Sequence, residues 1–265
     1  MLNIIKSRHF ANGAVYALST TSGHLIETTD TFLPYYTKFC INGTNRILQR
    51  EDGEVLMGSR AERWMIGVSV ASGCPVGCKF CATAQLPRYR PLKAHEIVDQ
   101  VVFVVTRNNQ WPKDCQEFKI NYTRMGDFGM NPVEVREAVR QLTDMYPNAH
   151  HYLSTIGIKG MDFSWIKGNI TLQISLHSLD EARRDALIPN GNKMSIVELG
   201  QIRTQSNLKT TINLTMVDKA DWSITELRKH FDPEHFFVKI SPINRNCTSE
   251  ANGLSGGVIQ AANMV

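Results

Sequence analysis

Cys74, Cys78 and Cys81 fall in one short stretch, Gly73-Cys-Pro-Val-Gly-Cys-Lys-Phe-Cys81, with C-x3-C-x2-C spacing. No other feature restricts the chain as tightly. Six cysteines placed at random over 265 residues would give this spacing only about 0.003 times per chain. Three thiolates this close can ligate three irons of a [4Fe–4S] cluster and leave the fourth iron open, which makes a reaction site rather than a closed structural one. The stretch before them, Glu62 to Ala71, reads as a short apolar strand, and Gly73, Pro75 and Gly77 turn the chain into a loop. Phe80 stands next to the third cysteine and is placed to shield a cluster from water. Zinc is the competing reading. It needs a fourth ligand, for which Cys115 or His95 is available, and a second CxxC is absent. A disulfide is disfavoured because the N-terminus, MLNIIKSRHF, has no extended apolar signal core.

At 265 residues, the chain suits one barrel-sized domain. Hydrophobic residues make up 42% and charged residues 20%, enough for a sizeable core. The net charge of +4 is compatible with an anionic partner without requiring one. No apolar run approaches the roughly 20 residues that span a membrane, so no membrane partner is expected and the cytoplasm is the expected location. Cys40, Cys115 and Cys247 remain outside the motif, and such residues are more often packed thiols than ligands.

Helix and strand signals alternate after Cys81. Helices are expected over Ala94 to Arg107, over Pro132 to Tyr146 with Asn131 as N-cap, from Asp180 through DEARRDAL, over Ser195 to Thr204, and over Thr225 to Phe231. Strands are expected over Glu117 to Thr123, His150 to Ile158, Asn169 to Ser178, Lys209 to Val217 and His235 to Ile243. With the strand before the cysteines these make six strands joined by helical crossovers, an α/β pattern with a parallel sheet. Residues 1–60 read as a β-hairpin extension, with turn signals at Asn12-Gly13, Ser22-Gly23, Asn42-Gly43 and Asp52-Gly53. Residues 61–244 form the expected core, and 245–265 a loosely ordered tail.

The cysteine loop resembles the signature of the radical S-adenosylmethionine (SAM) superfamily. That resemblance implies a partial (β/α)6 TIM-like barrel, a cluster whose open iron chelates SAM, and reductive cleavage of SAM to a 5′-deoxyadenosyl radical. It also implies an electron donor of the flavodoxin or ferredoxin kind. Within the superfamily the core, from about Glu54 to Asn244, resembles the adenine-C2 methyltransferases of ribosomal and transfer RNA and their adenine-C8 relatives. Five segments carry the likeness: Cys81-Ala-Thr-Ala-Gln85, Met125-Gly126-Asp127 with Asn131, Ser154-Thr155-Ile156-Gly157, Ile174-Ser175-Leu176-His177 with Arg184 and Ile188-Pro189, and Pro242-Ile243-Asn244.

The resemblance makes RNA, or a nucleotide-like molecule, the expected substrate. Gly126, Asp127, Ser154, Ser175, Leu176, His177 and Asn244 become the expected SAM contacts, with Asp127 as acceptor for the SAM ammonium. Each has an ordinary alternative as a turn or cap residue. The resembled enzymes also use a hairpin glutamate for proton transfer, for which Glu54 and Glu27 are the candidates, and both are equally plausible as solvated charges. Arg60, Arg63, Lys79, Arg88, Arg90 and Lys93, with Tyr89 among them, are read as a basic rim for phosphate or as an ordinary charged surface.

The pattern breaks at two places. The resembled enzymes carry a cysteine where a gapless reading puts Gly67, and a second on a segment beyond the last strand, for which Cys247 comes too early. SAM cleavage without methyl transfer is therefore expected, with adenine methylation as the alternative reading. The alternative from another class is a non-enzymatic iron–sulfur or zinc protein.

Overall fold

The computed structural model describes residues 2–32, 36–41, 44–47, 58–86, 88–216 and 223–254. Glu54 and the turn signals Asn42-Gly43 and Asp52-Gly53 lie outside them. The chain opens with β1 (Asn3–Phe10), β2 (Gly13–Ser19), β3 (Leu25–Phe32), β4 (Tyr36–Ile41), β5 (Thr44–Ile47), β6 (Arg63–Gly67), β7 (Ala71–Ser72) and β8 (Arg90–Pro91). Then follow α1 (Ala94–Thr106), β9 (Glu117–Tyr122), α2 (Pro132–Met145), β10 (Ala149–Thr155), β11 (Lys167–Gly168), β12 (Ile170–Ser175), α3 (Glu181–Leu187) and α4 (Ile196–Gly200). The last elements are β13 (Gln205–Ser206), β14 (Thr210–Met216), α5 (Ile224–His230), β15 (Phe236–Pro242) and α6 (Cys247–Ala251). The result is a mixed α/β fold dominated by sheet, divided into two compact units.

The first unit holds Met1–Ser69, Lys93–Arg124 and Glu134–His151. Its strands run β1-β2-β3-β6-β9, with the start of β10 beyond β9. The hairpins β1–β2 and β2–β3 turn at the two glycine signals read from the sequence, Asn12-Gly13 and Ser22-Gly23. β3 pairs antiparallel with β6, whereas β6 and β9 are parallel. Alternation sets the faces: Ala14, Tyr16 and Leu18 of β2 are buried while their neighbours are half-exposed. The valine-rich face of α1 is buried through Ile97, Val98, Val101, Val104 and Val105. Burying one such side chain contributes about 1.5–3 kcal/mol.

A buried carboxylate organises this unit. Asp30 receives Nε and Nη2 of Arg60 at 3.1 and 2.8 Å, Nε1 of Trp64 at 2.8 Å and Nδ2 of Asn108 at 3.1 Å. An interior charge is tolerable only when paired and hydrogen-bonded in this way. Arg60 is thereby committed to the core edge and does not serve a basic rim. Arg63 pairs with Glu117, and Lys93 with Glu134 at 2.9 Å, so they too are engaged with carboxylates.

The second unit holds Val70–Leu92, Met125–Val133 and the chain from Tyr152 onward. Its parallel strands run β12-β14-β15, with the end of β10 beside β12. Helix ends follow side-chain caps. Asp180 accepts from the Arg183 N–H at 2.6 Å to start α3, and Ser195 with Glu198 makes a capping box at α4. Among the described residues no helix is long and apolar enough to cross a membrane.

Several expectations need correction. The apolar run Glu62 to Ala71 is two strands, because the chain leaves the ladder after Gly67. Its amides stay satisfied: Val68 donates to the Asn121 carbonyl and Val70 to that of Met125, both at 2.8 Å. Asn131 directly precedes α2, and its side-chain amide donates to the carbonyls of Val70 and Leu92. The helix expected from Ser195 to Thr204 stops at Gly200. The strand expected to reach Ser178 stops at Ser175, two residues before His177 takes a positive φ of 63°. Part of the tail, read as loosely ordered, is the helix α6.

Candidate active site

The cysteine loop leaves β7 and belongs to the second unit. It is wedged by apolar side chains. Cys74, Cys78 and Phe80 pack against a buried group made by Val76, Ile156, Ile158, Leu187, Ile188 and Ile243. Lys79 N–H donates to the Leu187 carbonyl at 2.9 Å, which ties the loop to the end of α3. Two asparagines reach it from far along the chain: Asn246 Nδ2 donates to the Phe80 carbonyl at 2.9 Å, and Asn252 Nδ2 to that of Lys79 at 3.1 Å. After Cys81 the chain makes a 3-10 turn over Ala82–Gln85.

Burial pushes the Cys74 thiol up to about 11, and that of Cys78 well above its ordinary value; Asp127 and Cys81 add to the first, and Cys81, Cys74 and Asp127 to the second. Thiols held protonated in this way must release protons on binding a metal centre. Among the described residues no three His, Cys, Asp or Glu side chains are close enough to hold a single metal ion. The thiol of Cys115, a potential fourth zinc ligand, donates instead to the Trp111 carbonyl at 3.4 Å.

Gly126 follows β9 and adopts φ +91°. A Cβ there would stand 2.8 Å from the Ala71 Cβ and 2.9 Å from Val70 Cγ2, so glycine is what lets this backbone lie against the start of the cysteine segment. Asp127 beside it is buried. Its Oδ1 accepts from Gly129 N–H at 2.8 Å and its Oδ2 from Ile156 N–H at 2.7 Å. Burial pushes this carboxyl up to about 6, against the opposing hydrogen bonds from Thr155, Ile156 and Gly129. In this arrangement it ties two strand ends together.

Ser154 and Ser175, at the ends of β10 and β12, are half-buried with their hydroxyls 3.4 Å apart. Leu176 is fully buried. His177 is buried too: its Nδ1 accepts the Thr215 N–H at 3.0 Å, and its ring stands edge-on to Phe80 at 4.7 Å. Burial, aided by the charge of Arg184, pushes it down to about 3, so it is a neutral imidazole. Asn244 is exposed, and its carbonyl accepts from Asn246 Nδ2 at 2.9 Å. Cys247 is exposed at the start of α6, with its thiol 3.4 Å from Gln85 Oε1. Of the basic residues, Lys79 and Arg88 are exposed in this unit and Arg90 half-buried; Tyr89 is exposed with its hydroxyl donating to the Met130 carbonyl at 3.1 Å.

The hairpin candidate Glu27 lies in the first unit. It forms an ion pair with Arg124, whose side chain crosses Gly67. Arg124 attracts no attention in the sequence, because nothing local distinguishes it from any other arginine at a strand end. Arg184 is recognisable in the sequence only as part of a motif. In the structure it is fully buried, donating to the carbonyls of Ile156 at 2.8 Å and Met194 at 2.6 Å, while its Nε has no partner among the described residues.

No family model matches the chain. By sequence it is 33% identical over 167 residues to a probable dual-specificity RNA methyltransferase RlmN from Dictyoglomus turgidum, covering 60% of this chain and 47% of that protein. It is 30% identical over 212 residues to the dual-specificity RNA methyltransferase RlmN from Helicobacter hepaticus, covering 75% of this chain and 55% of that protein. The chain thus spans about half the length of the curated relatives it matches. Its fold matches the crystal structure of a radical SAM methyltransferase from Sphaerobacter thermophilus with a TM-score of 0.66 and 21% identity, over 92% of this chain and 67% of that one. These relationships make the chain similar in sequence to RlmN-named RNA methyltransferases and similar in fold to a radical SAM methyltransferase.

Proposed function

We propose that this protein is a radical SAM enzyme acting on RNA or a nucleotide-like substrate. The observation that carries the reading is the cysteine loop. Two of its thiols, Cys74 and Cys78, pack against one buried apolar cluster, Cys81 follows three residues later, and the motif residues Gly126, Asp127, Ser154, Ser175 and His177 belong to the same unit. Cys74, Cys78 and Cys81 would hold the [4Fe–4S] cluster. With SAM bound, such a cluster would supply the electron for reductive cleavage of SAM to a 5′-deoxyadenosyl radical.

The chain's own residues have positioning roles. Gly126 brings backbone close without a side chain, and Ser154 and Ser175 offer hydroxyls for ribose or carboxylate. Leu176 and Phe80 keep water away, and Asn244 offers a planar amide. His177, neutral and already bonded through Nδ1, has only Nε2 for a ligand. Asp127 is the proposed acceptor for the SAM ammonium. Its two backbone hydrogen bonds also give it the role of fixing the strand ends around that site. Glu27 is the hairpin acid assigned to proton transfer, oriented by Arg124. Lys79, Arg88 and Arg90 with Tyr89 are assigned to the phosphates and a base of the substrate. We further infer a partial (β/α)6 barrel built on the parallel strands, a cytoplasmic location and a flavodoxin- or ferredoxin-like electron donor.

The test is anaerobic reconstitution followed by reduction in the presence of SAM. About four irons per chain and release of 5′-deoxyadenosine and methionine are expected. Stoichiometric zinc without iron, or a loaded cluster that leaves SAM intact, would overturn the reading.

A further inference from the structure

Among the described residues, Arg184 has no adequate counter-charge. Its side chain is 0% exposed. The nearest carboxylate recorded for it, Glu181, lies 3.8 Å from Nη1, beyond hydrogen-bond reach, and is itself 48% exposed and therefore screened. Glu181 is also occupied elsewhere, since its Oε1 accepts the Ile196 N–H at 2.6 Å. Asp185, the next residue, is exposed and pairs with Lys193. The two carbonyls that Arg184 does bond, of Ile156 and Met194, are neutral. Its Nε is a buried donor with no partner among the described residues. A charge removed from water in this way is costly unless an anion meets it.

The end of α3 packs against the cysteine loop. Arg184 sits one helical turn before Ile188, whose N–H it binds through its own carbonyl at 2.8 Å. Leu187 and Ile188 pack against Cys74 and Cys78, the Leu187 carbonyl holds Lys79 N–H, and Pro189 lies alongside Gly77. The end of α3 is therefore the wall of the cysteine loop. Four irons held by three thiolates carry net negative charge, and one unit more after reduction.

We propose that Arg184 is the buried counter-charge of the cluster held by Cys74, Cys78 and Cys81, with its unpartnered Nε–H reserved for that anion, and that it favours the reduced state. This rests on the radical SAM reading above. Arg184 is thus a positioning residue that acts through the cluster. A positive charge stabilises the more negative, reduced form, so its removal makes reduction harder.

The experiment uses the full-length protein, reconstituted anaerobically as wild type, Arg184→Met and Arg184→Lys. Iron and sulfide content, far-UV circular dichroism and a redox titration followed by electron paramagnetic resonance are recorded for each. Arg184→Met should lower the equilibrium constant for one-electron reduction at least tenfold, a potential about 59 mV more negative. Arg184→Lys, which keeps the charge but not the guanidinium fork, should stay within a few-fold of wild type. Equal titration curves in all three proteins, or the same loss in both variants, would reduce Arg184 to a carbonyl-binding strut and overturn the proposal. Wild-type protein grown with nitrogen-labelled arginine covers the case in which Arg184→Met does not fold. Pulsed resonance on its reduced cluster should then show coupling to an arginine nitrogen, and its absence also overturns the proposal. A wild type that binds no iron is a separate outcome, since it removes the radical SAM reading itself.

Discussion

The side chain of Asn246 donates to the carbonyl of Phe80 at 2.9 Å, across 166 residues of sequence. The same asparagine caps α6, accepting the N–H groups of Thr248 at 2.9 Å and Ser249 at 3.1 Å. One residue therefore starts the last described helix and fastens that helix to the cysteine loop. Each tie alone is modest, because an intramolecular hydrogen bond contributes about 1 kcal/mol net and an N-cap a similar amount. Joined in one side chain, they couple the order of α6 to the order of the loop.

Asn246→Ala should destabilise the protein by about 1–3 kcal/mol. Hydrogen exchange at Lys79 and Cys81 should accelerate along with that at the amides of α6. Urea unfolding and exchange mass spectrometry measure the two effects. Unchanged exchange in the loop with a frayed α6 would show that only the cap matters.

Gly126→Ala tests the close approach behind β9. The added methyl meets Ala71 and Val70 inside 3.0 Å, at a φ that L residues rarely adopt. Strain and overpacking together should cost about 2–4 kcal/mol. Gly23 has a similar φ of +79° with open space around it, so Gly23→Ala should cost only about 1–2 kcal/mol. Comparing the two urea midpoints separates crowding from backbone conformation.

Much of this fold was legible from local rules. Asp180, placed at the head of DEARRDAL, caps α3 as read, and the alternation of β9 and β14 marked those strands to within a residue or two. The glycine turns of the first two hairpins also follow from chemistry a few residues long. What escaped was long-range. Asn131 reads as a cap by position, and nothing local announces that its amide also donates to the carbonyls of Val70 and Leu92, brought to it by the fold. Arg60 reads as a rim charge until Asp30, 30 residues earlier, takes it. The cysteines were legible because their spacing is local, whereas the strap from Asn246 and the orphan nitrogen of Arg184 depend on contacts that no window of sequence contains.

His151 sets one window of pH dependence. Its Nδ1 is paired with the Tyr122 hydroxyl at 3.0 Å and its Nε2 with the Thr143 hydroxyl at 3.1 Å; burial pushes its pKa down to about 4, aided by the charge of His150. The folded state therefore binds the proton more weakly than the unfolded chain, whose histidine titrates near 6.5. The contribution of neutral His151 is fully present above about 6.5 and is lost as pH falls towards 4. Stability should drop over that window in wild type, and the drop should be smaller in His151→Gln. Denaturant unfolding at a series of pH values measures the difference; parallel curves would assign the window to another group.

Gly67 bears on what the reaction leaves behind. A Cβ at this position would run into the Thr29 hydroxyl and stand 3.0 Å from Cδ of Arg124, which passes over the glycine to reach Glu27. The family resemblance implies a cysteine at the position of Gly67, and here any side chain would have to displace Thr29 and Arg124. Gly67→Cys should therefore destabilise the protein by about 1–3 kcal/mol and break the Arg124–Glu27 pair rather than install a working thiol. Arg124→Ala should relieve the clash, so the double variant Gly67→Cys with Arg124→Ala should recover part of the loss. The functional counterpart is anaerobic turnover of the wild type with methyl-labelled SAM and total RNA. The expected products are 5′-deoxyadenosine and unlabelled adenine. Label on adenine C2 or C8 would show that a methyl route exists without a thiol at position 67, and would require a different carrier.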